Sequence, residues 1–180
     1  MTDAPQTQTD YIEQLTARGQ SPADDGTLEM IVRRPSKGER ETLDRAELTP
    51  ASGLVGDSWH LRKSEPDPKT QLTLMNSRVV DVIAGGERAR WPLAGDQLYV
   101  DLDLSAENLP PGQQIQIGTA IVEVSEVPHN GCGNFTERYG SDATKLVNSP
   151  EGRAARRRGI NARVVQAGVV HVGDAVRKVR

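Results

Sequence analysis

The sequence predicts a mainly β protein: a strongly curved sheet or barrel with helices at its periphery. Two observations carry that expectation. Apolar and polar residues alternate with period two in several segments, most cleanly in Asp96–Ser105, where Leu98, Val100, Leu102 and Leu104 share a face. Several of these segments also follow one another directly, which disfavours a parallel βαβ fold. Aromatics make up only 3% of the chain, so the core must come mostly from Val, Ile, Leu and Ala. About seven strands and about three helices are expected by these signals.

Residues 1–26 read as a polar N-terminal arm, and 27–180 as the body. Within the arm, "DYIEQLTARG" suits one short helix, with Asp10 as cap, Glu13 three residues later and Gly19 as its end. Tyr11, Ile12 and Leu15 would dock it on the body. "TLEMIVRR" opens the body as a strand, with Leu28, Met30 and Val32 alternating against Glu29, Ile31 and Arg33. Arg34–Arg40 is a Pro/Gly turn, Gly53–Trp59 is turn-rich, and Lys63–Thr70 is a charged loop with two prolines. Gln71–Met75 is a strand. Asn76–Gly86 is a helix, capped by Asn76 or Ser77, with Val79, Val80, Val82 and Ile83 on its buried face and Gly85 as its stop.

Asp96–Ser105 follows as a strand, and Gln113–Gly118 and Ala120–Val127 form a hairpin around a Gly-Thr turn. Ser141–Gly159 holds one or two helices. Ser149 caps the second, Pro150 takes its first position and Gly159 closes it. Asn161–Arg180 reads as two final strands around a tight turn.

Composition removes several function classes. At 180 residues the chain fits one domain with a tail. Its formal net charge of −3 offers no basic field for nucleic acid or an anionic membrane. No apolar run is long enough to span a bilayer, and the N-terminus lacks the pattern of a secretory signal. One cysteine forms no intramolecular disulfide, which fits a reducing, cytoplasmic setting. Zinc is not expected: His60, His129 and His171 are widely spaced and only one cysteine is present.

That cysteine is the centre of the functional reading. In "PHNGCGNF", Cys132 lies between two glycines that leave its thiol sterically open, three residues after His129. A protonated histidine or a helix N-terminus lowers a thiol pKa, and "NFTERYG" is placed to begin a helix. The alternative is a small apolar core residue beside a turn. No residue is marked by spacing as the partner that would orient His129 for a Cys-His hydrolase.

Downstream, "RAARRR" places Arg153, Arg156 and Arg157 on one helical face at i, i+3 and i+4, forks suited to phosphate or carboxylate, or else a solvated helix end. The pairs Gly56-Asp57, Gly95-Asp96 and Gly173-Asp174 read as turns in which Asp caps its neighbours.

Taken in order, "GLVGDSW", "QLTLMNSRVV", "AENLPPGQQIQIGTAIVEVSEVPHNGCGNF" and "GINARVVQAGVVHVGDAVRKV" resemble the MOSC domain, named for the C-terminal domain of molybdenum cofactor sulfurase. The match runs from Thr27 to Arg180. It implies a barrel-like β fold and makes Cys132 the reactive residue, carrying sulfur as a persulfide or facing the metal of a molybdenum–pterin cofactor. His129 would tune the thiol or move a proton. Arg153, Arg156 and Arg157 would meet an anionic group such as a pterin phosphate, Asn108 and Asn134 would supply polar contacts, and Asp57 would hold loop geometry.

The family's usual cysteine neighbourhood is nearer R-x-P-C, and this chain has "HNGC" instead. The chain has no room for a pyridoxal-phosphate desulfurase domain, so pyridoxal phosphate is not expected. The resemblance implies sulfur transfer, or molybdopterin-dependent reduction of N-hydroxylated compounds, with a sulfur donor or redox protein as partner. A non-catalytic module holding a cofactor or partner, with a passive or redox-sensing Cys132, is the alternative. Nothing in the sequence demands a dimer.

Overall fold

The computed structural model describes residues 4–62 and 64–180. Met1–Asp3 of the polar arm and Lys63 of the two-proline loop lie outside them. The body is a closed barrel with helices against one side. Its staves are β1 (Gly26–Arg33), β5 (Leu72–Asn76), β6 (Leu98–Asp101), β7 (Gln114–Ile117), β8 (Ala120–Val124), β9 (Ile160–Gln166) and β11 (Ala175–Lys178). They run β11-β7-β8-β9-β5-β6-β1, and β1 pairs back onto β11, so the sheet has no free edge in that ring. Among the described residues only β5 and β6 pair in parallel. β2 (Glu41–Leu43) extends β1 outside the ring. β3 (Arg45–Thr49), β4 (Gly53–Leu54) and β10 (Gly168–His171) form a separate three-stranded sheet.

The barrel interior is aliphatic. Leu28, Ile31, Leu72, Leu74, Leu98, Val100, Ile115, Val122, Ala162 and Val176 belong to one buried cluster, and Leu102 and Leu104, just beyond β6, join it. A second cluster lies between the barrel wall and the helices. Met30, Val32, Met75 and Tyr99 point outward from the staves to meet α2 (Ser77–Ile83), α4 (Ser141–Asn148) and the arm helix α1 (Gln8–Arg18). The simple alternation expected for β1 breaks here. A bulge between Leu28 and Met30 shifts the register, so Leu28 and Ile31 face in while Met30 and Val32 face out.

α1 starts one turn earlier than the sequence suggests. Thr7 is its cap and Asp10 is the reciprocal partner of a capping box; Gly19 ends it as expected. Tyr11 is buried, Leu15 is partly buried, and Ile12 is exposed. Asn76 caps α2. Among the described residues, eleven short strands and five α-helices stand where fewer, longer elements were expected. The surplus comes from β2–β4, from α3 (Gly133–Tyr139), and from a C-terminal stretch that makes three strands rather than two. Ser149 caps α5 (Pro150–Ala154), but that helix stops at Ala154, short of Gly159. Among the described residues no helix is long and apolar enough to cross a membrane.

Candidate functional site

Cys132 is exposed and occupies the N-cap of α3. Its thiol pKa is lowered. The leading cause is the backbone N–H of Phe135, opposed by partial burial and helped by the N–H of Asn134 and the charges of Arg158 and Arg138. No hydrogen bond closes between the side chain and these amides, so they act as nearby dipoles. Asn134 therefore contributes through its main chain, with its side chain exposed. The loop below is fastened by Asn148, which accepts the Gly131 N–H at 2.8 Å and donates to the Gly131 carbonyl at 3.0 Å.

His129 turns the other way. Its Nδ1 lies 3.6 Å from Oδ1 of Asp96, a fully buried carboxylate whose Oδ2 accepts from Arg158 at 2.7 Å. Burial first, then the charge of Arg158, lowers the imidazole pKa to about 4, against the pull of Asp96. At neutral pH His129 is uncharged, so support of the thiolate falls to amides and arginines. Three buried polar atoms here have no hydrogen-bond partner among the described residues: Asp96 Oδ1, His129 Nδ1 and Arg158 Nε.

The arginines are organised by a short run of backbone. A 3-10 helix, Arg88–Ala94, ends at Gly95, which takes a left-handed φ of 87°. Four successive carbonyls at this end each accept from a different arginine. Pro92 accepts from Arg40 (3.3 Å), Leu93 from Arg138 (2.9 Å), Ala94 from Arg158 (2.8 Å) and Gly95 from Arg34 (2.9 Å). The negative end of a helix favours cations there.

A fifth arginine, Arg62, stands near Arg34 and Arg40. Only two carboxylates answer these five. Asp57 takes Arg34 in a two-pronged pair (2.9 and 2.7 Å), and Asp96 takes Arg158. Arg40, Arg62 and Arg138 have no carboxylate within ion-pair distance among the described residues. Arg40 and Arg62 are held below the ordinary guanidinium range, by partial burial first and then by repulsion from neighbouring arginines. A Cβ placed on Gly95 would lie 3.6 Å from a nitrogen of Arg138 and 3.8 Å from one of Arg40, so the two forks converge over this glycine.

A cavity of about 320 Å³ opens on the other side of the cysteine loop. His129, Asn130, Arg153, Arg156, Arg158 and Asn161 are in its wall. Arg153 and Arg156 thus come to one place, but not as a helical face. α5 has ended, Arg156 sits at a left-handed φ of 47°, and its guanidinium donates to the carbonyls of Leu104 and Leu109. Arg157 does not line the cavity. Asn108 is occupied structurally: it donates to Ala23 and Asp103 and accepts from Lys178.

Of the three Gly-Asp pairs, only Asp174 is a simple turn carboxylate, accepting the His171 N–H at 2.7 Å. Asp57 caps the turn at Trp59, but it and Asp96 are chiefly buried counter-charges. Sequence reasoning missed Arg34, Arg40, Arg62, Arg138, Arg158 and the role of Asp96. Two of the Gly-Asp pairs, at Asp57 and Asp96, were the available signal.

The family model described as the MOSC domain matches residues 67–177. No curated protein matches the chain. Among solved structures, a hypothetical protein is similar at 20% identity and a TM-score of 0.62, covering 92% of this chain and 71% of that one. YiiM from Escherichia coli is similar at 19% identity and a TM-score of 0.57 (86% of this chain, 70% of that one). The YuaD protein from Bacillus subtilis is similar at 16% and 0.55 (86% and 97%). At these identities the likeness is one of fold.

Proposed function

Because the chain belongs to the MOSC domain family, with the family model matching residues 67–177, we propose that it handles sulfur at Cys132, holding it as a persulfide. The observation that carries this reading is an exposed thiol whose pKa is lowered, near Arg138, which has no carboxylate partner among the described residues. A thiolate is the nucleophile of sulfur transfer. Cys132 Sγ attacks the outer sulfur of a donor, a bond forms from Sγ to that sulfur, and the donor's own S–S bond breaks with its electron pair leaving on the donor. The resulting persulfide is also an anion, so the same amides and arginines favour it. A cytoplasmic location and a protein partner that consumes the sulfur belong to this reading.

A second reading has an observation of its own. The guanidinium forks over Gly95 suit a phosphate, and Cys132 lies close enough to Arg138 to feel its charge. The site therefore fits a phosphate-bearing molybdenum–pterin, with Arg40, Arg62 and Arg138 at the phosphate and the soft Cys132 thiolate toward the metal. Bound there, the cofactor would supply two-electron redox chemistry for reducing N-hydroxylated compounds. The chain's own part would be to orient it and keep the thiol ionised.

One preparation tests both readings. After polysulfide treatment, intact mass should rise by one sulfur, cyanide should release it, and Cys132→Ala should abolish both effects. Protein isolated from a host that makes molybdopterin, carrying one molybdenum and one pterin per chain, would instead favour the second reading. A thiol that neither takes sulfur nor accompanies a bound pterin would overturn both.

A further inference from the structure

The site's charge says something about what brings the sulfur. A protein persulfide needs a broad docking face and leaves as an alkyl thiolate, a comparatively basic group. Around Cys132 the surroundings are instead those of a small anion site. Arg40 and Arg138 converge over Gly95 with no carboxylate between them, and Arg62 stands beside Arg40. Arg158, only 6% exposed and paired with Asp96, lines the cavity beneath the cysteine loop.

Resting on the sulfur-carrier reading, we infer that the donor is a small oxyanion bearing a sulfane sulfur, of the thiosulfate class, whose sulfonate is held by Arg138 with Arg40 and Arg158 close behind. Two anions must meet for this reaction, a thiolate and a dianionic donor. Bare repulsion makes that encounter unfavourable, and carboxylate-free arginines reverse it. Their forked donors also match a sulfonate's oxygens as they would a phosphate's.

The step balances without a further reagent. Cys132 Sγ attacks the terminal sulfur of thiosulfate, the Sγ–S bond forms, and the S–S bond to the sulfonate breaks. Its electron pair leaves on sulfite, and the protein keeps an anionic persulfide. The sulfane sulfur passes across with no net oxidant or reductant. Sulfite is a weaker base than an alkyl thiolate and departs without a proton donor. That suits a site whose one nearby histidine is buried against Asp96.

The test uses the whole chain with thiosulfate as probe, following sulfite release and the one-sulfur mass gain on Cys132. Iodoacetamide alkylation, which is uncharged, reports thiolate reactivity alone. Polysulfide loading reports the capacity to carry sulfur. Wild type should load from thiosulfate with stoichiometric sulfite. Arg138→Gln should slow thiosulfate loading by about tenfold or more beyond any change in alkylation, as expected for loss of a charge-assisted contact. Competing sulfate should inhibit wild type. If polysulfide loads Cys132 and thiosulfate does not, the donor assignment fails while the carrier reading stands. If Arg138→Gln slows both reactions equally, the arginine only tunes the thiol and the assignment again fails. If neither donor loads Cys132, the carrier reading fails and takes this inference with it.

Discussion

Replacing Asp57 by Asn tests the buried support of the arginine group. The carboxylate has no exposed side-chain surface. It takes Arg34 Nε at 2.9 Å and Nη2 at 2.7 Å, and accepts the backbone N–H groups of Arg34 and Trp59. Burial by itself would raise its pKa. The bonds and charge of Arg34, with the two amides, outweigh burial and hold the carboxyl below its ordinary value. Asn keeps the shape and one acceptor, but it turns an N–H donor toward a guanidinium and removes the counter-charge of a residue only 5% exposed. Breaking a buried pair in this way costs about 3–5 kcal/mol. For a chain of this size each kcal/mol moves Tm by about 2–4 °C, so melting should fall by about 6–20 °C at pH 7. Calorimetry of wild type, Asp57→Asn and the double variant Arg34→Met/Asp57→Asn gives the answer. The double variant should recover part of the loss, because no unpaired charge remains. The sign with pH is fixed. A depressed carboxyl stabilises fully above its unfolded pKa of about 3.9, and the benefit fades as pH drops through the folded value, so the gap between wild type and variant should close in acid. A fall of less than about 2 °C for the single variant would refute the assigned role of the pair.

Three further outcomes are expected. The alkylation midpoint of Cys132 should lie below the ordinary thiol value of about 8.5, and Arg138→Gln should move it upward; a midpoint unchanged by that substitution would remove Arg138 from the activating set. His129, with its pKa lowered to about 4, should show no imidazole titration by NMR between about pH 5.5 and 8, where an ordinary histidine would. By linkage its contribution to stability is complete above about pH 6.5 and is lost as pH falls toward 4; with 19% of the side chain still exposed, about 3 kcal/mol is the upper figure, read as a steepened fall in Tm over that range that His129→Ala should flatten. Gly159→Ala should destabilise the fold by about 1–3 kcal/mol or more, since φ is 110° there and a Cβ would come within 2.3 Å of the Leu74 carbonyl; a Tm unchanged within error would contradict that geometry.

The barrel was legible because its staves have one aliphatic face each, and the β7–β8 hairpin because Gly118-Thr119 separates two clean alternations. The register of β1 was not, since a bulge leaves no mark in a run where Leu28, Met30, Ile31 and Val32 are all apolar. β3 escaped notice for the opposite reason. Only Ala46 and Leu48 are buried, between exposed Arg45 and Glu47, and it gains its partner β10 from more than a hundred residues away. The cysteine loop could be found because a lone cysteine between glycines is locally odd. Its arginines could not. Arg34 and Arg40 bound one Pro/Gly turn, Arg138 lies in α3 and Arg158 follows α5, and each alone reads as a solvated charge. What joins them is the carbonyl run Pro92–Gly95, which no side-chain pattern reports. The conspicuous "RAARRR" misled for a related reason: the helix that would align its arginines ends one residue after Arg153.

The choice of arginine over histidine has a kinetic consequence. A thiolate supported by a protonated imidazole loses that support once the imidazolium deprotonates, at a pH that the thiolate's own charge sets. Guanidinium groups keep their charge throughout this range, and backbone N–H dipoles do not titrate at all. His129, neutral and turned to Asp96, takes no part in that charge balance. The rate of Cys132 with an uncharged electrophile should therefore rise with pH along a single ionisation, level off, and stay level to about pH 9. Removing the imidazole by His129→Ala should shift the curve by less than Arg138→Gln does. A second inflection near pH 6.5, abolished in His129→Ala, would mean that the histidine swings out to the thiol in solution and acts as its partner after all.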